Sequence, residues 1–330
     1  MIKAFWFNND QTEADILQPE FFTPKTQLEI RAQLPNISFP VKVNVDVFCL
    51  DHKAFSKSYV VDKYETEGNI VLADFPETLE TNPDRIEVEI CDGTDIYAES
   101  ICCTYATISG KISDFFGCPF PAAVIYNFDG FTGTGNGIGT WSDAEGNYTI
   151  TLPCGEYNSI FVDDNSYGQR SLEAWGWKMI VDADETHDYK IGNGEVYSLD
   201  LWANNGGFQT LFIAFRAMVL SYALKGDVDS VDINGKAYSA ICAAPEITLD
   251  DISVQINGCK VDNISLQKIF ETGADGQALP MYILQTTRPY GCGKQTLVLE
   301  YDFVDANGEA AQSQGRTQFY YAGIYGLAVR

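Results

Sequence analysis

Along most of this chain, hydrophobic and polar residues alternate with a period of two. Segments such as "VKVNVDVFCL", "RIEVEI", "NYTITLP" and "TLVLEYDF" carry Val, Ile, Tyr and Phe at every second position, the pattern of a half-buried strand. Clusters of Gly, Asn, Asp and Pro interrupt these runs at intervals of roughly 8–12 residues, the spacing of sandwiches and barrels. Helical periodicity is nowhere sustained. "NDQTEADILQ" is the best short helical segment, and "LFIAFRAMVLSYAL" reads as a buried strand, too short to span a bilayer. The pattern predicts an all-β protein.

The 330 residues are enough for two or three domains. Residues 1–107 hold six strand-like segments and predict an immunoglobulin-like β-sandwich on strand count and alternation, although the Cys–Trp–Cys spacing is absent. Residues 108–202 form a second unit and residues 203–330 a third. In the third, "VDSVDINGKAY" and "DDISVQINGCKV" each place Asn-Gly between two strands, predicting two hairpins with type I′ turns. Its segment "GKQTLVLEYDFVDANGE" resembles the closing strands of bacterial immunoglobulin-like modules.

The second unit carries the most distinctive sequence. It runs "SGKISD", then "CPFPAAVIYNF", then "TWSDAEGNYTITLPCGEYNSIFV". Asp143 can bond the backbone of its own turn, Gly146 permits a left-handed residue, and Tyr148, Ile150 and Leu152 alternate onto one face. This stretch resembles the carboxypeptidase regulatory-like family, a prealbumin-like sandwich. Gly110, Asp114, Pro121, Ala123, Val124, Ser142, Asp143, Gly146, Tyr148, Ile150, Pro153, Gly155 and Tyr157 stand at the family's pattern positions. Ile112, Ala122 and Ser142 replace the usual Val, Gly and Thr. The resemblance implies a prealbumin-like middle sandwich; with the strand patterns on either side, three consecutive β-sandwich domains are expected, the outer two immunoglobulin-like. The family's metallopeptidase domain has no counterpart here, so no peptidase activity carries over.

Charge narrows the partners. The formal net charge is −25, and the three regions carry net −11, −10 and −4. Uniform acidity argues against nucleic acid and anionic membrane surfaces. Nine cysteines without a C-x-x-C pair, and only two histidines, exclude zinc-site spacing. Cys102 and Cys103 are adjacent and point to opposite faces of a strand, one of them toward a core. The thiols read as free and reduced, and no apolar leader follows Met1. Both favour the cytoplasm for the chain as written, or the exterior if a leader has been removed.

Chemistry is harder to find. No Walker loop, G-x-S-x-G, dinucleotide fingerprint or H-E-x-x-H is present, so no cofactor and no catalytic residue is assigned. The Gly-rich stretch 130–140 lies between strands and reads as a hairpin loop. Asp143 and Glu145 alone supply too few oxygens for calcium. His52 reads as a solvated turn residue. His187, among Asp182, Asp184, Glu185 and Asp188, is a solvated acidic loop on one reading and a mixed metal site on another. Arg216, inside an apolar strand, requires a partner, and an interdomain ion pair is expected. The best ligand candidate is aromatic: Tyr167, Trp175 and Trp177 with Asp163, Asp164 and Arg170. Trp175 and Trp177 share a strand face and would stack a sugar or a protein side chain if exposed, or fill a core or domain contact if not. The sequence therefore predicts a non-catalytic binding or assembly protein engaging a protein or a glycan. The alternative is an accessory subunit or small enzyme of carbohydrate metabolism with an acidic interdomain site.

Overall fold

The period-two segments become strands that close into sandwiches. The computed structural model describes residues 2–7, 26–64, 70–79, 82–127, 137–204, 207–273, 275–288 and 291–321. The helix expected in residues 9–18 lies outside them, as does 130–136 of the Gly-rich stretch. Among the described residues, no helix is long and apolar enough to cross a membrane.

The first region contains β1 (Ile2–Phe7), β2 (Thr26–Gln33), β3 (Val41–Cys49), β4 (His52–Val61), β5 (Ile70–Leu79), β6 (Arg85–Cys91) and β7 (Ile96–Cys102). Sheet β1-β2-β5 faces sheet β4-β3-β6-β7. Val41, Val43, Val45 and Val47 are buried while Lys42 is exposed, so one strand face supplies the core. Cys103, just past the end of β7, packs half-buried against this core, and Cys102, the last residue of β7, is exposed.

The middle region contains β8 (Tyr105–Ser113), β9 (Ala123–Asn127), β10 (Gly137–Trp141), β11 (Asn147–Pro153), β12 (Gly155–Asp163), β13 (Ala174–Val181), β14 (Glu185–Thr186) and β15 (Tyr189–Lys190). The end of the Gly-rich stretch is thus strand, not loop. Tyr148, Ile150 and Leu152 point into the core. Gly146 sits at φ +80°, where a Cβ would lie 2.2 Å from the Ile112 carbonyl oxygen. Gly110 is needed for contact instead: a Cβ there would meet the His187 carbonyl oxygen at 2.0 Å. The first expected boundary, 107/108, falls within β8.

The third region contains β16 (Gly194–Trp202), β17 (Thr210–Val219), helix α1 (Leu220–Lys225), β18 (Val228–Ile233), β19 (Lys236–Ile241), β20 (Ile252–Ile256), β21 (Cys259–Lys260), β22 (Asn263–Thr272), β23 (Gln277–Thr287), β24 (Gly293–Val304) and β25 (Ala310–Tyr321). Both Asn-Gly hairpins form, with Asn234, Gly235, Asn257 and Gly258 all at positive φ. The apolar run expected as one strand ends at Val219 and turns into α1, which Gly226 stops at φ +65°. The second expected boundary, 202/203, falls between β16 and β17, which pair with each other.

One sheet joins the last two regions. Its order is β10-β9-β12-β13-β25-β24-β20-β21, with β13 and β25 parallel in the register Trp175↔Gly315 and Trp177↔Thr317. Ala174 faces the core of the middle sandwich. Trp175 and Trp177 point the other way, to the side on which Leu297 and Leu299, paired with Thr317 and Gly315, enter the core of the third. Sheet β11-β8-β14 and sheet β16-β17-β23-β19-β18 therefore cover opposite faces of the long sheet, staggered along it. The stagger leaves a ledge on each face beside the β13–β25 junction.

Candidate functional site

The ledge beside β16 holds the aromatic residues expected to bind a ligand. Trp175 and Trp177 stack at 4.8 Å between ring centroids, and Tyr197 of β16 meets both edge-on at 5.6 and 5.4 Å. Sharing a strand face brings the two rings together, as expected. They are not an open platform: Trp175 is only 4% exposed and Trp177 is half-buried against the third core. The ledge is where two sheets meet, and apolar rings beside a seam are drawn into it. The Trp177 indole N–H reaches the Val196 carbonyl at 3.5 Å, and that of Trp175 reaches the Glu195 carboxylate at 3.3 Å.

The other residues of that candidate serve a turn. Asp163 is buried and accepts the Asn165 N–H at 2.8 Å. Asp164 accepts the Ser166 N–H at 3.0 Å and the Ser171 hydroxyl at 3.1 Å, and pairs with the exposed Arg170. Tyr167 alone presents substantial ring surface, at 51% exposure. The structure thus brings the tryptophans together with Tyr197 and Glu195, and turns the carboxylates to loop construction.

Glu195 was not anticipated. Its carboxyl is 2% exposed, and burial pushes its pKa up to about 7 against the bonds from Trp175 and the Glu173 backbone. The only sequence signal was a lone carboxylate alternating with Tyr197 along a strand, which is too common to single out.

The opposite ledge is polar and collects the acidic segment around His187. That histidine is 2% exposed, not a solvated loop residue, because β14 and β15 tuck their connection against the long sheet. Its Nε2 lies 2.8 Å from Glu185 Oε2. Glu185 also accepts from Gln318 at 3.1 Å and pairs with Lys294, which also binds Asp182. Burial opposes ionisation of Glu185, but the bonds from His187, Lys294 and Gln318 prevail and hold its carboxyl at about 2. Burial lowers the His187 pKa despite Glu185. Lys190 pairs with Glu300 at 2.8 Å, and Arg316 donates to the Asp188 carbonyl at 2.9 Å. These groups fasten the middle sandwich to β24 and β25. Among the described residues, no cluster of three or more His, Cys, Asp or Glu side chains is arranged to hold a metal.

Two further expectations resolve locally. Asp143 accepts the N–H groups of Glu145 and Asn147 at 3.0 and 2.8 Å, so its carboxylate closes the turn. Arg216 pairs with Glu271, two strands away in the same sheet, so the ion pair lies within the third region rather than between domains. Both strands, β17 and β22, pair with β23 between them, a relation that only the sheet order reveals.

A large concavity lies elsewhere. The inner face of the third region's sheet extends past the end of β24 and β25, leaving a groove of about 960 Å³. Val231, Ala240, Phe270, Pro280, Phe303 and Val304 give it apolar walls. Asp227, Asp229, Glu246, Asp251 and Asp302 also line it, with Lys268 as the one basic side chain, paired to Glu246. Its thiol, Cys242, is held protonated by burial and by Asp229, the opposite of an activated nucleophile. In the sequence, "VDSVDI" showed only a hairpin strand, because the groove depends on how far β18 and β19 overhang the partner sheet.

No family model matches the chain, and no curated protein matches it significantly. Among solved structures, it is similar to a candidate carbohydrate binding protein from Bacteroides uniformis: 12% identity, 65% of this chain and 98% of that one covered, TM-score 0.22. The major pilin subunit of Bacillus cereus is 12% identical over 65% of this chain and 69% of its own, with TM-score 0.19. A streptococcal ancillary pilin is 9% identical over 96% of this chain and 99% of its own, with TM-score 0.20. At this level the likeness is one of all-β fold alone.

Proposed function

We propose that the chain is a non-catalytic binding or assembly module that engages a protein partner. The observation that carries this reading is the division of labour among its side chains. His187, Glu185, Lys294 and Glu195 are engaged at the seams, while the large groove offers apolar walls, a carboxylate rim and no nucleophile–base pair. A glycan-binding version would rest on Trp175 and Trp177, whose burial weakens it. We assign the middle sandwich to the carboxypeptidase regulatory-like family. The contacts of Gly110, Asp143 and Gly146 support that assignment, since each residue stands where the fold tolerates little else.

The test is a paired screen of the purified chain: saturable binding to immobilised peptide and glycan arrays, and turnover of chromogenic glycosides and esters. Saturable binding without turnover is expected. Turnover that disappears in Glu195→Gln or His187→Ala would contradict the reading and favour an acidic interdomain enzyme site.

A further inference from the structure

The groove has a backbone feature that specifies its occupant more closely. Strand β18 is the last in its sheet, and its outer edge pairs with no described strand. The Cys242 N–H donates to the Asp227 carbonyl at 3.1 Å, and the register runs Val228↔Ile241 through Ile233↔Lys236. In an antiparallel pair the bonded positions alternate. Asp229, Val231 and Ile233 therefore bond to β19, and the N–H and C=O groups of Val228, Ser230 and Asp232 point away from it. These outer residues are all exposed.

Side chains alternate in step. Asp229 and Val231 line the groove, together with Ala240, which pairs with Asp229, and the terminal pair Val228 and Ile241 also borders it. A chain laid along the β18 edge would extend this sheet, and every second side chain of that chain would enter the groove. There it would meet Val231, Phe270 and Val304 beside Asp229, Asp251 and Asp302. With Lys268 already occupied by Glu246, the lining is strongly negative. An acidic occupant would be repelled and a basic one attracted, although Asp251 also accepts from Thr248 and Asp302 from Gln312.

We infer that β18 and this groove form a strand-addition site for an extended segment of a partner protein that carries both lysine or arginine and aliphatic residues. This deepens the binding reading above and rests on it. Backbone hydrogen bonds to Val228, Ser230 and Asp232 would supply affinity, and the acid-rimmed apolar groove would supply selectivity. Two aspartates on so short a strand, Asp229 and Asp232, also protect a bare edge against self-pairing. That role and this one make the same demand, since each rejects a second acidic copy and admits a basic strand.

The probe is an acetylated, amidated ten-residue peptide alternating lysine and valine, titrated into the intact chain by fluorescence anisotropy. Controls are a glutamate–valine peptide and a lysine–valine peptide N-methylated on one edge. The lysine–valine peptide should bind saturably and at least tenfold more tightly than either control. In residue-resolved hydrogen exchange, it should slow the Ser230 and Asp232 amides at least tenfold, and those of Asp229 and Val231 much less. Asp229→Asn combined with Asp302→Asn should weaken binding at least fivefold with the thermal transition unmoved, and Val231→Lys should weaken it by repulsion. Binding that leaves Ser230 and Asp232 exchanging freely would overturn the site, because it would be electrostatic adsorption alone. Equal binding of the glutamate–valine peptide, or preference for a single-chain amine such as dodecylamine, would overturn it too. Any of these results refutes the strand site alone, whereas turnover in the paired screen refutes the binding reading itself.

Discussion

Replacing Glu195 by Gln should stabilise the protein at neutral pH, which is unusual for a buried residue. The carboxyl is almost fully buried, with the Trp175 indole N–H as its side-chain donor, and its pKa stands at about 7 against an ordinary 4.5. Below pH 4.5 it is protonated in both folded and unfolded states and contributes no pH dependence. Between 4.5 and 7 the folded state holds the proton more tightly, so stability falls as pH rises. Above 7 the loss is complete. A difference of about 2.5 units at 1.36 kcal/mol each corresponds to about 3 kcal/mol. Gln remains neutral throughout, and its carbonyl oxygen can still accept from Trp175, while its amide N–H₂ needs an acceptor that the acid did not. Glu195→Gln should therefore gain about 1–3 kcal/mol at pH 8 and change little at pH 4.5. Urea unfolding of both proteins at the two pH values, followed by tryptophan fluorescence, measures this directly. Taking the difference between them cancels every other titrating group. If Glu195→Gln loses stability at pH 8 by as much as it does at pH 4.5, burial does not govern this carboxyl and the reasoning fails.

Other consequences follow from the same contacts. Glu185 is the reverse case, its pKa depressed to about 2, so its contribution is present above pH 4.5 and fades as pH falls toward 2. Because the carboxyl is partly exposed, screening reduces the effect to about 1 kcal/mol, which Glu185→Gln should remove from the acid limb of a stability–pH profile. Trp177→Ala should cost about 3–5 kcal/mol in chemical denaturation, whereas Tyr167→Ala, half exposed, should cost under about 1. Gly315→Ala would drive a Cβ to 2.5 Å from Val196 Cβ and should part β16 from β25, seen as faster amide exchange in both. Millimolar calcium should leave the melting temperature unchanged, because the Asp143 carboxylate is occupied by its own turn.

Much of the fold was legible because strand alternation is local information. The valines of β3, the Tyr148–Ile150–Leu152 face and both Asn-Gly hairpins each depend on residues within a few positions of one another. What stayed hidden depends on pairing between distant segments. The parallel register of β13 with β25 joins residues about 140 apart, and no periodicity announces it. That junction decides the fate of the tryptophans: their shared face was readable from their spacing, but not the seam that covers them. His187 illustrates the same limit. Its acidic neighbours looked like a solvated loop, and Asp182, Asp184 and Asp188 are indeed exposed, but the long sheet buries His187 itself beside Glu185. Arg216 found its partner within its own sheet because strand order, not sequence distance, set its neighbours. The groove was invisible for a related reason, since it arises where one sheet outruns the other.

The most direct test of the account compares three proteins on one binding isotherm with the lysine–valine peptide: the unaltered chain, the seam variant Glu195→Gln and the groove variant Val231→Lys. The account predicts that the seam variant binds as the unaltered chain does, while the groove variant loses at least tenfold with its melting temperature preserved. Loss of binding in the seam variant with full binding in the groove variant would contradict it, and would move the functional surface to the tryptophan ledge.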